Sequence, residues 1–303
     1  MHNTEYKDKL TGVYAPIVTP FDEKGNVAWE ALQRNLEKMN RTPLKGYFVL
    51  GTNGEFRSLG FDEKVRIVEM VLSLKQDKVI IVGASCESTI ETIKTARELA
   101  ALPMDFISLL PPSFFAKRMT DDALYGYFSE VADNVAKPIL LYNNPAMANN
   151  VTLSSALISR VSRHPNIFGL KDTSKGNYDA YITASLGENF YVLSGSADFC
   201  FPAMLLGAVG GVLSLANVFP EICYRLFELG RARDLNQGLD FHREIVKLNS
   251  LVSGKYGVSG VKAAMDIFGF EGMYPRKPLS GLHSTQREEL EKEVRKVLAE
   301  LGI

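Results

Sequence analysis

Lys171 is the residue around which chemistry can be built in this chain of 303 residues. It closes the run Asn166-Ile167-Phe168-Gly169-Leu170-Lys171, and the small polar residues Asp172, Thr173 and Ser174 come directly after it. An amine at the end of a buried strand is costly unless it is paired, solvated or held neutral. Held neutral, it can attack a ketone and form a Schiff base. Taken alone, the window also fits a lysine whose stem lies along the strand while its amine reaches solvent.

Two other clusters bear on the choice. Gly51-Thr52-Asn53-Gly54-Glu55 is a polar turn bracketed by glycines. Backbone N–H groups in such a turn, helped by a hydroxyl, suit a small carboxylate. The same residues also fit an ordinary turn that caps a helix. Tyr142 ends the apolar run Pro138-Ile139-Leu140-Leu141. A tyrosine beside a cationic imine can relay protons, although a packed tyrosine with one satisfied hydroxyl reads the same way. Asp172 adjoins Lys171, but consecutive strand residues point to opposite faces, so the two need not pair. Thr173 shares the lysine's face and is the better candidate for a substrate contact.

These residues need elements that converge. Apolar, β-branched runs recur at 12–19, 46–51, 78–84, 105–110, 138–143, 167–171, 190–194 and 210–215. Amphipathic stretches lie between them, among them 29–39, 62–75, 89–101 and 121–135. Alternating strands and helices imply a parallel sheet. Eight such units fit a closed (β/α)8 barrel better than an open doubly wound sheet. Four helices are expected at 221–233, 235–252, 258–268 and 287–301, with no further strand. The chain thus divides into a catalytic barrel over 12–230 and a helical extension over 231–303 packed on it. In such barrels the site lies at the C-terminal ends of the strands. That rule brings together Thr52-Asn53, Tyr142, Lys171, Gly195 and Ser214.

Composition removes several function classes. Lys and Arg number 34 against 35 Asp and Glu, with no basic block, so nucleic acid and anionic membranes are not expected partners. No apolar run approaches a membrane span, and the polar start over 1–9 lacks the apolar stretch of a signal peptide. Cys86, Cys200 and Cys223 are odd in number and far apart, which points to a reducing cytoplasm. His2, His164, His242 and His283 are scattered as well. No metal-ligand spacing, GxGxxG or P-loop is present, so the expected chemistry uses neither metal nor nucleotide.

Taken in order and at this spacing, several segments resemble the pyruvate-dependent class I aldolases, the family of dihydrodipicolinate synthase and N-acetylneuraminate lyase. They are Pro16-Ile17-Val18-Thr19-Pro20-Phe21, the turn 51–55, Tyr142-Asn143-x-Pro145, Gly169-Leu170-Lys171 and Leu206-Gly207-Ala208-Val209-Gly210-Gly211. The resemblance runs from about 12 to about 272. It is nearest to the 4-hydroxy-2-oxoglutarate aldolase branch, through Thr52-Asn53-Gly54-Glu55-Phe56, Cys86-Glu87-Ser88-Thr89, Leu215-Ala216-Asn217-Val218 and Gly257-Val258-x-Gly260-Val261-Lys262. It implies a barrel with a C-terminal helical region, assembled as a homotetramer of tight dimers. Lys171 would form the covalent imine, without a separate cofactor, and Tyr142 would transfer protons. Thr52 and Asn53 would bind the substrate carboxylate, with contacts from Thr173 and Gly195. Leu213 would turn a backbone carbonyl towards the lysine, and Ser196, Asp198 and Ser214 would meet the distal end of the substrate.

Three positions depart from the family pattern. Met147 stands where the synthases carry an arginine for a distal carboxylate, and a thioether cannot replace a guanidinium. Phe114 and Phe115 occupy the stretch where many members place a tyrosine that reaches the neighbouring subunit's site. Asn53 stands where synthases and sialate lyases have threonine. The activity implied is cleavage of a 4-hydroxy-2-oxo acid, such as 4-hydroxy-2-oxoglutarate, to pyruvate and an aldehyde. The alternatives are a 2-keto-3-deoxy sugar acid aldolase, then dihydrodipicolinate synthase, then a non-catalytic oxo-acid-binding relative.

Overall fold

The structure is a computed structural model that describes residues 4–174 and 176–303. Eight parallel strands close in chain order: β1 (Gly12–Pro16), β2 (Gly46–Val49), β3 (Val79–Gly83), β4 (Phe106–Leu109), β5 (Ile139–Asn143), β6 (Ile167–Asp172), β7 (Tyr191–Ser194) and β8 (Gly210–Val212). β8 pairs back onto β1, so the sheet has no free edge and is the expected barrel, not the open alternative. Strand residues are buried on both faces, which is why the runs read as continuous apolar stretches.

Two strands end three residues before their apolar runs do. β1 stops at Pro16, which has no N–H to continue the ladder. β8 stops at Val212, and the chain enters a tight helical turn over Ser214–Asn217. Asn217 fixes that turn by donating from Nδ2 to the carbonyls of Pro16 (3.0 Å) and Ser214 (3.1 Å).

One helix has no counterpart in the sequence expectation. α1 (Thr4–Leu10) lies beneath the barrel, where Tyr6 packs 4.0 Å from the Phe168 ring and 5.9 Å from Phe106. Lys9 pairs there with Asp105 at 3.3 Å. Only Tyr6 and Leu10 carry its apolar contact, too few to register as a periodic pattern. Outside the barrel, α2 (Trp29–Met39), α3 (Phe61–Leu74), α4 (Thr89–Ala100) and α5 (Asp121–Asn134) start and stop within a residue of their expected limits. Hydroxyl caps set two of the starts: Ser88 accepts from Glu91 N–H and Thr120 from Ala123 N–H, each worth about 1 kcal/mol. α6 (Ser155–Val161), α7 (Tyr178–Ala184) and α8 (Ala197–Leu206) complete the ring.

α9 (Pro220–Ala232), α10 (Leu235–Asn249), α11 (Gly257–Ile267) and α12 (Ser284–Glu300) come after the barrel strands. The helix expected over 235–252 changes character at its end. Ser250–Gly254 forms a π turn in which Lys255 N–H reaches the Ser250 carbonyl at 2.9 Å. Ser253 fills that wider turn by bonding to the carbonyl and side-chain oxygens of Asn249. Among the described residues no helix is long and apolar enough to cross a membrane.

Candidate active site

The register of β5 and β6 pairs Tyr142 with Lys171 and Asn143 with Asp172. Pleating then sends the two pairs to opposite sides. Lys171 points inward and is 3% exposed, its Nζ 4.0 Å from the centre of the Tyr142 ring and 4.6 Å from that of Phe48. Burial pushes this amine below the ordinary lysine value of 10.5, and the Tyr142 hydroxyl pulls it partly back. No carboxylate acts on it among the described residues. Asp172 faces outward, accepting from Asn143 Nδ2 at 2.7 Å and Ser174 Oγ at 3.0 Å. Adjacent in sequence, the lysine and the aspartate serve separate networks.

Tyr142 Oη accepts a 2.7 Å hydrogen bond from Asn144 Nδ2 and lies 3.3 Å from Thr52 Oγ1. Its ring stands edge-on to Phe48 at 5.8 Å. Asn144 is buried, and sequence reasoning gave it no role. The available signal was its place two residues beyond Tyr142 in a strand-end turn, which returns it to the same side.

Thr52 joins this interior to the open cleft above it. Thr52, Asn53, Met147 and Ser214 line a cavity of about 470 Å³ at the C-terminal rim. Asn53 is 8% exposed, and its Nδ2 finds no acceptor among the described residues. A buried donor without a partner suits a ligand oxygen. Glu55 ends the turn in the left-handed conformation, with φ of 52°. Its carboxylate pairs with Lys262 Nζ on α11 at 2.6 Å and accepts the Arg276 N–H at 2.9 Å. Lys262 also donates to the carbonyls of Thr19 (2.8 Å) and Tyr274 (2.7 Å). Burial pushes its amine down to about 8 against the opposing pull of Glu55. The sequence showed Lys262 only as part of a motif; its partner lies too far along the chain for spacing to reveal.

The other anticipated residues distribute unevenly. Thr173 Oγ1 donates to the Asn143 carbonyl at 2.8 Å, and Gly195 packs so closely on Thr173 and the Asp172 carbonyl that no side chain fits there. Leu213 is buried just past β8, its carbonyl accepting from Ala216 N–H. Ser196 and Asp198 face α10, where Asn249 Nδ2 reaches Ser196 Oγ at 3.3 Å and Asp198 Oδ1 at 2.7 Å. Ser214 alone of the three distal candidates lines the cleft. Phe114 and Phe115 are 77% and 68% exposed and stack edge to face. Among the described residues, which exclude His2, no group of three His, Cys, Asp or Glu could hold a metal ion.

The family model described as the dihydrodipicolinate synthetase family matches residues 9–297. The chain belongs to that family. A DapA-like lyase of Thermococcus kodakarensis, named as uncharacterised, is 30% identical over 96% of this chain and all of its own. A mitochondrial protein of Emericella nidulans named "Probable 4-hydroxy-2-oxoglutarate aldolase" is 31% identical over 89% of both chains. A 4-hydroxy-tetrahydrodipicolinate synthase of Acidiphilium cryptum is 29% identical over 92% of this chain and 95% of its own. Among solved structures, the chloride-inhibited dihydrodipicolinate synthase of Acinetobacter baumannii, complexed with pyruvate, superposes with a TM-score of 0.88 at 27% identity. It covers 95% of this chain and 99% of that one. Membership of the dihydrodipicolinate synthetase family therefore extends across the barrel and the C-terminal helices alike.

Proposed function

We propose that the chain is a class I aldolase that reversibly cleaves a 4-hydroxy-2-oxo acid to pyruvate and an aldehyde, with Lys171 as the imine-forming residue. The observation that carries this reading is an amine buried among aromatic rings, pushed towards neutrality by burial, with a tyrosine hydroxyl as its polar neighbour. Neutral Lys171 adds to the 2-oxo carbon and water leaves, giving a protonated imine. Tyr142 takes the proton of the 4-hydroxyl. The electron pair of the bond between carbons 3 and 4 flows into the imine, releasing the aldehyde and leaving an enamine. Protonation at carbon 3 and hydrolysis return pyruvate and the free amine. The imine supplies the polarisation that a divalent ion would otherwise provide.

The turn N–H groups, the Thr52 hydroxyl and the unpartnered Asn53 amide take the substrate carboxylate in this reading. Thr173 and Gly195 shape the wall beside it, Leu213 borders it beyond β8, and Ser214 faces the distal end. Ser196 and Asp198 hold Asn249, which in turn accepts from Ser253 on the cleft wall. The relative from Acidiphilium cryptum favours a synthase reading, but Met147, a thioether, lines this cleft. The paired, exposed rings of Phe114 and Phe115 at the catalytic rim support assembly as a homotetramer of dimers, which sedimentation would test. The free state of Cys86, Cys200 and Cys223 supports a reducing, cytoplasmic setting.

The test is reductive trapping. Pyruvate with borohydride should add one alkyl group, and peptide mass mapping should find it on Lys171 and lose it in Lys171→Ala. Tyr142→Phe should still trap pyruvate but cleave roughly 10²–10⁴-fold more slowly. An adduct elsewhere, or one that survives Lys171→Ala, would sink the assignment.

A further inference from the structure

The cleft that Thr52 joins to the Tyr142 hydroxyl is electrostatically lopsided. Among the described residues two charged side chains line it, Glu55 and Arg57. Glu55 is spoken for by Lys262, which leaves Arg57 as the charge on the lining that can still act on a guest. Ser58, Ser214, Ser253, Tyr256 and Ser259 add hydroxyls but no second ion. A cleft of this kind favours an anion over a neutral guest.

Arg57 is also placed to receive one. It stands on the tight turn Phe56–Ser58, directly after the Thr52–Asn53 seat, and its guanidinium lies 5.7 Å over the Phe56 ring. Among the described residues Nη2 alone makes polar contacts, to Glu87 Oε1 at 3.2 Å and Ser113 Oγ at 3.5 Å. Both are long for a charge-assisted bond. Glu87 meanwhile holds the backbone N–H groups of Ser113 at 2.8 Å and Phe114 at 2.9 Å through its other oxygen. The carboxylate is thus anchored to the loop and steers Arg57 without saturating it. Nε and Nη1 make no hydrogen bond among the described residues, and the side chain is 53% exposed. A guanidinium held at one corner with free donors elsewhere is arranged for bidentate capture of a carboxylate.

We infer that Arg57 seats the distal carboxylate of the substrate, so that the chain acts on 4-hydroxy-2-oxo dicarboxylates and releases an aldehyde that itself bears a carboxylate. This rests on the reading of Lys171 and the Thr52–Asn53 turn given above. It assigns the distal charge to a different element from the turn carrying Met147, on the same cleft.

The experiment compares two probes of similar size, 4-hydroxy-2-oxoglutarate and 4-hydroxy-2-oxopentanoate, in which a methyl replaces the distal carboxylate. Arg57→Gln should raise KM for the dicarboxylate about 10- to 100-fold, the scale of a lost hydrogen-bonded charge contact. Its kcat should stay within about twofold, because the contact is made equally in ground and transition states. The methyl probe should be unaffected, and Arg57→Lys should recover part of the loss. Equal losses on both probes, no loss on the dicarboxylate, or a wild-type preference for the methyl probe would each overturn the assignment. Pyruvate trapping on Lys171 does not involve Arg57 and should persist in Arg57→Gln. Absence of trapping in the wild type would bring down the Schiff-base reading, and this inference with it.

Discussion

Two lysines are buried at this end of the barrel, and they have opposite surroundings. Lys171 is 3% exposed and Lys262 is 1% exposed. Each amine lies 4.6 Å from the centre of a phenylalanine ring, Phe48 for one and Phe21 for the other. Burial pushes both below the ordinary lysine value. Lys262, however, has a carboxylate at 2.6 Å and two backbone carbonyls within 2.8 Å, whereas Lys171 has a tyrosine hydroxyl. Desolvation alone therefore does not mark a reactive amine. What separates the two is whether the fold supplies acceptors for the protonated form. Lys262 meets a carboxylate and two carbonyls and holds a turn in place, while Lys171 meets a single hydroxyl.

The contrast can be broken most forcefully at Lys262. Lys262→Met should leave Glu55 buried without its cation and cost about 3–5 kcal/mol, read as a lower midpoint in urea unfolding. Adding Glu55→Gln should recover part of that cost, since the two share one interaction. A Lys262→Met protein as stable as the wild type would mean that the pair holds nothing.

The same substitution at the other lysine should act in the opposite direction. Lys171→Met should raise stability at neutral pH by about 1–3 kcal/mol, because it replaces a poorly compensated polar group with an apolar one. The sign of the pH dependence comes from linkage. Lys171 has a folded pKa below its unfolded value of 10.5, so between the two the unfolded chain binds more protons and stability rises with pH. The advantage of Lys171→Met should thus be greatest below the folded pKa and shrink as pH approaches 10.5. Thermal unfolding across pH 7 to 10 would check it, and an advantage independent of pH would refute it. The smallest effect is expected at Asn144. Asn144→Ala removes the donor to Tyr142 and should slow cleavage by about tenfold or less, with pyruvate trapping retained.

Much of the barrel was legible because burial on both faces writes each strand as an apolar run, and its closure comes from counting the runs. α1 was not, since seven residues with two apolar contacts give no period to detect. The positions of Lys171 and Tyr142 came from the rule that strand ends carry chemistry, and β-pleat alternation separated Asp172 from Lys171 correctly. Asn144 was in view but unassigned. The Glu55–Lys262 pair and the bond from Asn249 to Asp198 join segments remote in sequence, and nothing local in either segment announces its partner. For the same reason, the facing of Arg57 into the cleft emerges only once the turn has been folded.

The π turn over Ser250–Gly254 holds one residue more than a regular helix would use. Ser253, Tyr256 and Val258, which line the cleft, lie within it or just beyond. Deleting a single residue there would let α10 continue as ordinary helix, because the π turn is the local bulge that takes up that residue. No barrel strand would change register, because all eight precede it. Loss of one codon at this point therefore remodels the cleft wall locally, at Ser253, while leaving Lys171, Tyr142 and the strands that carry them as they are.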